Sequence, residues 1–99
     1  MDIEFEEPEM EKLAKDAKYI GKYSFAKIKK YRERIHRIRQ AMDRRDLYAQ
    51  KSLRLEKLKG ERKHQHSIRL NDQNRLIVEF VRKEHREIAK IIAMEDYHK

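Results

Sequence analysis

The first half of the chain carries apolar residues at helical spacing. They recur every three or four positions over 8–20, which predicts a first helix that ends near Gly21. A longer helix is predicted over 25–44, with Ser24 as its N-cap. The apolar stripe of this second helix, which is typical of a core-facing side, consists of Phe25, Ile28, Tyr31, Ile35, Ile38 and Met42.

The second half of the chain switches to a period of two, which is typical of strands. Leu53 and Leu55 alternate with polar residues, and the KGE segment at 59–61 predicts a turn. A last strand is predicted over about 88–94, and the alternating IEF at 3–5 predicts a short strand at the start.

The HSIRLNDQNRLIVEF segment predicts a β-hairpin whose register follows from its core face. Pairing Leu70 with Leu76, and Ile68 with Val78, keeps the apolar residues on one side of the sheet. The loop is then Asp72-Gln73-Asn74. Such a loop ends on a left-handed residue, a conformation that Asn tolerates.

These elements predict one small α+β domain over residues 1–99. The expected order is β-α-α-β-β-β(-β), with two helices packed on one face of an antiparallel sheet. The opposite face would carry Glu56, Arg69 and Arg75. An antiparallel last strand would place Arg75 beside about Ala93, close to the C-terminal end.

The charge of the chain is strongly positive and unevenly distributed. The net charge is +8, yet the first twenty residues carry seven acids and three lysines, so the remainder is more basic still. A small basic domain typically binds a polyanion, which favours nucleic acid or the ribosome over mere solubility. A basic stripe on the second helix fits a solvated face and an RNA-facing role equally well; it comprises Lys27, Lys30, Arg34, Arg37 and Arg44.

Several classes of protein are disfavoured by composition. Without cysteine there is neither a disulfide framework nor a thiolate zinc site. No apolar run approaches the length of a membrane span, and the acidic start MDIEFEEPE is the opposite of a signal peptide. We therefore expect a cytoplasmic protein without membrane contact.

Chemically active groups are concentrated at the C-terminal end, where Asp96, Tyr97 and His98 place a carboxylate, a phenol and an imidazole together. With Arg75 on the adjoining strand, this set could cleave RNA without a metal. A base would remove the 2′-OH proton, an acid would protonate the 5′-oxygen, and cations would stabilise the phosphorane. On their own, such residues at a chain end are more often solvated surface. Cations on neighbouring strands and turns are candidates for RNA or ribosome binding: Lys57, Lys59, Arg62, Lys63 and Arg69.

A metal site is not expected. His64 and His66 lie two apart, but neither Cys nor an HExxH pair accompanies them, and His66 is predicted to face the core. A chain with two glycines offers no glycine-rich phosphate loop, and no cofactor is predicted.

The stretch LKGERKHQHSIRLNDQNRLIVEF, followed by EDYH, resembles the HigB branch of the RelE-like toxins, within the RelE/ParE superfamily of type II toxin–antitoxin systems. In that branch a Leu-Lys-Gly turn leads into a Ser-Ile-Arg strand. An Asn-Asp-Gln hairpin, an Arg-led strand and a terminal Asp-Tyr-His follow. The resemblance is specific over about residues 53–98 and looser over the helices. It implies a toxin that cleaves mRNA in the ribosomal decoding site.

The resemblance also implies partners and residue roles. A cognate helix-turn-helix antitoxin similar to HigA would hold the toxin inactive, and operator DNA would be bound only through that complex. The basic second helix and the acidic first twenty residues are both candidate contact regions for it. The family's functional positions correspond to Arg75, Asp96, Tyr97 and His98, and its RNA-facing surface to Lys57, Lys59, Arg62 and Arg69.

The chain departs from the family pattern at a few positions. Glu56 stands where some members have a His, so either His98 is the only well-placed imidazole or Glu56 is a candidate base. Asn74, and Gln65 with His66, replace residues that are often aromatic. These differences concern base preference and the division of acid and base roles.

Two other functions fit the same scaffold. One is a RelE/ParE-fold toxin that inhibits gyrase and cuts no RNA. The other is a catalytically inactive, basic RNA-binding module, in which Asp96, Tyr97 and His98 would be a solvated tail. Fold alone cannot decide among these activities.

Overall fold

The fold is a sheet of five strands with three helices, as seen in a computed structural model that describes residues 1–96. The strand order across the sheet is β1-β5-β4-β3-β2. The elements, in chain order, are β1 (Ile3–Phe5), α1 (Pro8–Lys15), α2 (Phe25–Gln40), α3 (Arg44–Ala49), β2 (Glu56–Lys57), β3 (His66–Arg69), β4 (Asn74–Lys83) and β5 (Arg86–Asp96). Short 3₁₀ turns cover Lys51–Leu53 and Gly60–Arg62.

The predicted α+β class is confirmed, with two differences in detail. Strands β2 to β5 form an antiparallel series, as expected, but β1 pairs parallel with β5, so the sheet is mixed. A third helix, α3, occupies part of what was predicted to be a connection. Among the described residues, no helix is both long and apolar enough to cross a membrane.

Helix α1 is shorter than predicted and ends at Lys15. Arg32 of α2 donates from Nε to the Leu13 carbonyl at 2.9 Å, and from one terminal nitrogen to the carbonyls of Asp16 and Tyr19. A side chain of another helix therefore satisfies one carbonyl of the last turn of α1 and two in the segment that follows, which favours the early end.

Helix α2 begins as predicted, with the Ser24 hydroxyl accepting from the Lys27 backbone N–H. It ends at Gln40, before the predicted residue 44, because Asp43 caps a new helix. The Asp43 carboxylate accepts from the Arg45 N–H at 2.9 Å.

The two ends of the predicted apolar stripe of α2 lie outside the core. Phe25 and Met42 are exposed, whereas the other four residues of the stripe are buried. Among these, Tyr31 donates from its hydroxyl to the Met10 carbonyl. Arg34, predicted to belong to a basic surface stripe, is buried, and its Nε donates to the Arg69 carbonyl at 2.9 Å. Its carbon stem and guanidinium therefore join α2 to the sheet.

The β3–β4 hairpin has the predicted core face but a different register. Ile68 pairs with Leu76, and Arg69 pairs with Arg75, so the predicted pairing of Leu70 with Leu76 is wrong by two residues. The Asn71 side chain accepts from the backbone N–H groups of Gln73 and Asn74, which stabilises a wider loop than the three residues expected.

Strand β5 also lies in a different register from the one predicted. Arg75 pairs with Glu95, while Ala93 pairs with Ile77, so the predicted neighbour of Arg75 is wrong. A bulge shifts the pairing between Ile77 and Val78, and a tight two-residue turn at Glu84 and His85 sets the start of the strand. Together these features bring the end of β5 closer to Arg75 than expected.

The core lies between α1, α2 and α3 and one face of the sheet. It is formed by fully buried side chains from both layers, among them Leu13, Ile28, Ile38, Leu47, Ile68, Leu76 and Ile91. Successive strand residues point to opposite faces, so the residues between these core positions line the face away from the helices.

Candidate active site

The face of the sheet away from the helices carries a polar cleft of about 530 Å³. It lies between the start of β2 and the β3–β4 loop. Its walls contain three arginines, two carboxylates and three neutral polar residues: Arg54, Arg69, Arg75, Glu56, Asp72, Ser67, Asn71 and Asn74. Glu56, Arg69 and Arg75 were predicted to share this face, and the structure brings all three into the same cleft.

Strand pairing explains why these side chains meet. Glu56 of β2 lies opposite Ser67 of β3, and Arg69 of β3 lies opposite Arg75 of β4. Like charges directly opposite one another destabilise a sheet. Each of these arginines therefore has a carboxylate close by: Asp72 contacts Arg69, and Glu95 lies 3.6 Å from Arg75. Two neighbouring arginines that line one cleft are a suitable place for a phosphate.

Asp96 lies at the rim of this cleft. Its carboxylate accepts from the side-chain amide of Asn74, with 2.9 Å between Nδ2 and Oδ1, and the two residues are paired across β4 and β5. The predicted catalytic residues Tyr97 and His98 follow Asp96 in sequence but lie outside the described residues.

The five cations predicted to bind RNA occupy three kinds of position. Only Arg69 lines the cleft within residues 1–96. Lys57, Lys59 and Lys63 are exposed on β2 and on the turn that follows, outside the cleft. Arg62 is held by Glu95 through two hydrogen bonds of 3.0 and 2.8 Å.

Arg54 and Glu95 belong to this site, although sequence reasoning missed them. Arg54 follows a 3₁₀ turn with a φ of 46°, a left-handed conformation that a residue with a side chain rarely adopts. The alternation of LRLE around Arg54 could have indicated that Arg54 and Glu56 point the same way. Glu95 was missed because Ala93 was expected to lie beside Arg75.

His66 faces the core, as predicted, and takes no part in the cleft. Its ring is buried between Tyr48 and Phe80, with centroid distances of 6.3 and 5.0 Å. Burial lowers the pKa of His66, and the cations Arg44 and Lys57 lower it further. Within the part of the chain that the structure describes, no cluster of three or more His, Asp or Glu could hold a metal ion.

The acidic residues of β1 and on either side of it offset cations on the neighbouring part of the sheet. Three ion pairs of 2.7 to 2.8 Å join them to β4, β5 and their hairpin: Asp2–Arg86, Glu4–Lys83 and Glu6–Lys90. The charge is therefore balanced at the β1 edge, while the edge at β2 keeps exposed lysines. This gives the molecule a neutralised side and a basic side.

Comparison with known proteins agrees with the sequence resemblance. The family described as a RelE-like toxin of the type II toxin-antitoxin system HigB matches residues 3–98. Among solved structures, the chain is similar to a YoeB/ParE toxin from Agrobacterium tumefaciens, with a TM-score of 0.61 and 14% sequence identity. That similarity covers 99% of this chain and 100% of the other, and at this identity it concerns the fold alone. Curated proteins gave no significant match.

Proposed function

The chain belongs to the HigB-like family of RelE-like toxins of type II toxin–antitoxin systems, and we propose that it is a ribosome-dependent endoribonuclease. It cuts mRNA in the decoding site and so inhibits translation. The observation that carries the proposal is the cleft in which Arg69 and Arg75 face each other beside Glu56, with Asp96 at its rim. We further propose that residues 1–99 form one toxin domain.

The proposed reaction needs no group other than this chain's own side chains. A base removes the proton from a 2′-OH, whose oxygen attacks the adjacent phosphorus, and an acid protonates the departing 5′-oxygen. His98 is the proposed proton carrier, and Glu56 shares the transfers from within the cleft. Arg75 and Arg69 offset the charge that builds up on the phosphorane.

The remaining members of the C-terminal set hold the reacting groups in place. Asp96, bonded to Asn74, orients His98 from the rim of the cleft. Tyr97 stacks on a base or holds a phosphate. Both assignments of Tyr97 and His98 rest on the sequence.

The exposed lysines of β2 and the turn after it support a role in ribosome binding. Lys57, Lys59 and Lys63 lie on the basic side of the molecule, where phosphates of rRNA and mRNA would be attracted. Arg62 contributes less to this attraction, because Glu95 offsets its charge. Because β1 neutralises the opposite edge, the charge distribution also orients the domain as it approaches RNA.

Membership of the family implies a cognate antitoxin. We propose that this partner is a helix-turn-helix protein similar to HigA, that operator DNA is bound only through their complex, and that the toxin acts in the bacterial cytoplasm. The ion pairs of Asp2, Glu4 and Glu6 with cations of the same chain make the acidic N-terminal segment a poorer antitoxin contact than α2.

Cleavage of mRNA in a reconstituted translation reaction tests the proposal. His98→Ala should fold and bind ribosomes but lose cleavage, and Arg75→Ala should fold and bind ribosomes but cut mRNA much more slowly. Primer extension on the mRNA would detect both effects. Arg82→Ala, an exposed arginine at the far end of β4, is the matched control and should cut normally. Full cleavage by both site variants would contradict the assignment. Gyrase-linked DNA damage with intact mRNA would favour a gyrase inhibitor.

A further inference from the structure

Glu95 lies between two arginines that come from different parts of the chain. Its two carboxylate oxygens accept from the two terminal nitrogens of Arg62, at 3.0 and 2.8 Å. One of the same oxygens lies 3.6 Å from a terminal nitrogen of Arg75, the residue opposite Glu95 in the β4–β5 pairing. A single anion therefore joins the turn after β2 to the strand that carries Arg75.

This arrangement is more constrained than an ordinary surface ion pair. The side chains of Arg75 and Glu95 are 22% and 33% exposed. Arg62 is fixed at a third point, because its Nε donates to the Gln65 side chain at 2.9 Å. A bidentate guanidinium–carboxylate pair defines direction as well as distance. Glu95 thus has a defined position from which to attract Arg75.

The charge of Glu95 also sets the electrostatics around Arg75. Without it, the guanidiniums of Arg62 and Arg75 would lose the anion that lies between them and would repel each other. That repulsion would displace the charge of Arg75 relative to a bound phosphate. Catalysis depends on such positions to within about 0.5 Å.

We propose that Glu95 is a positioning residue of the ribonuclease site, which holds Arg75 at the place where charge develops on the phosphorane. This inference rests on the proposed function. Glu95 touches neither RNA nor the reacting atoms; it acts through Arg75, with Arg62 as its anchor. It should therefore affect the turnover number much more than the affinity for the programmed ribosome.

A double-mutant cycle tests the role, because a residue that acts through another loses its effect when that other is removed. Glu95→Gln keeps the shape of the side chain and removes its charge. In the wild-type background it should lower kcat for mRNA cleavage by about 10- to 100-fold and change KM less than about threefold. In an Arg75→Ala background the same substitution should change kcat less than about twofold. Equal losses in both backgrounds, or an unchanged kcat, would overturn the proposal.

Glu61→Gln provides the matched control. Glu61 is exposed on the 3₁₀ turn that also contains Arg62, so the same charge is removed from the neighbouring residue. This variant should keep kcat within about twofold of the wild type, because it leaves Glu95 in place. A loss as large as that of Glu95→Gln would mean that net charge, and not position, matters, and would overturn the proposal.

A second readout separates this proposal from the ribonuclease assignment. NMR of arginine side chains measures rotation about the Nε–Cζ bond of Arg75 in the whole chain without RNA. Glu95→Gln should accelerate that rotation, whereas Glu61→Gln should not. If the wild type cuts no mRNA, the proposed function fails. The NMR result then decides on Glu95 alone, and an unchanged rotation rate would overturn the positioning role.

Discussion

The side-chain amide of Asn74 joins the Asp96 carboxylate to the β3–β4 loop, with 2.9 Å between Nδ2 and Oδ1. The backbone N–H of Asn74 in turn donates to the Asn71 side chain at 2.8 Å, and its carbonyl accepts from Leu70 and Asn71. The same residue therefore organises the hairpin loop and anchors the last described residue of β5. The position of Asp96, a member of the proposed catalytic set, therefore depends on Asn74.

Asn74→Ala should separate these two functions of the residue. The loop keeps its backbone bonds, but Asp96 loses its side-chain donor. We expect mRNA cleavage to fall about tenfold, since one lost hydrogen bond is worth on the order of 1 kcal/mol. The free energy of unfolding, measured in urea, should decrease by about 1 kcal/mol or less. Gln73→Ala, an exposed residue of the same loop, should leave both quantities unchanged. Normal cleavage by Asn74→Ala would show that Asp96 needs no anchor.

Arg54 allows charge and backbone strain to be tested separately. Its φ of 46° is costly for any residue with a Cβ and easy for glycine. Arg54→Gly and Arg54→Ala both remove a cation from the cleft, so each should lower cleavage about tenfold by loss of one phosphate contact. The glycine variant should be more stable than the alanine variant by about 1 kcal/mol in urea unfolding. Equal stabilities would contradict the left-handed backbone at this position.

His66 should make stability depend on pH. In the unfolded chain a histidine has its ordinary pKa near 6.5, whereas burial beside Arg44 and Lys57 lowers the pKa of His66 in the fold. As pH falls below about 6.5, the unfolded state binds this proton first, so the free energy of unfolding should decrease between pH 7.5 and 5.5. In His66→Leu this decrease should be smaller, because the buried titrating group is gone.

The matched control for that measurement is His36→Gln, since His36 is exposed on α2. It should keep the pH dependence of the wild type. If His66→Leu retained the full dependence as well, another group would be responsible.

The β4–β5 turn should be open to stabilisation. Glu84 and His85 both have positive φ, at 49° and 70°, in a two-residue turn between the paired residues Lys83 and Arg86. Asn followed by Gly is favoured at such positions. The double variant Glu84→Asn/His85→Gly should therefore raise the free energy of unfolding by about 1 kcal/mol, as measured in urea. Glu84→Ala, which keeps the left-handed cost, should give no gain, and a similar gain from it would contradict this explanation.

The β3–β4 hairpin illustrates how far the sequence alone could go. The alternation correctly predicted that the core-facing side chains are those of Ile68, Leu70, Leu76 and Val78. It could not fix the register, because a shift of two residues preserves every face. The choice depends on the Asn71 side chain, which satisfies two N–H groups of the loop. A hydrogen bond of this kind cannot be predicted from the pattern of hydrophobic residues.

The site was predictable to a similar degree. Glu56, Arg69 and Arg75 were expected on one face because strand periodicity places them there, and they share a cleft. Arg34 was expected at the surface because its charge suggested it, yet the Arg69 carbonyl gives it a buried partner. The pairing of Glu95 with Arg75 could not be predicted without the bulge between Ile77 and Val78. That bulge depends on the packing of the whole sheet.

The parallel pairing of β1 with β5 has a consequence for the folding of the toxin during its synthesis. Strand β5 lies between β1 and β4 in the sheet. Its pairing with β1 joins residues that are far apart in sequence, such as Ile3 and Ala89. Contacts so distant in sequence form late and slowly. The walls of the cleft come from residues 54–75, whereas Glu95 and Asp96 reach their partners Arg75 and Asn74 only once β5 has paired. We therefore expect the proposed active site to be completed only after β5 has been synthesised, and a nascent chain to be unable to cut mRNA.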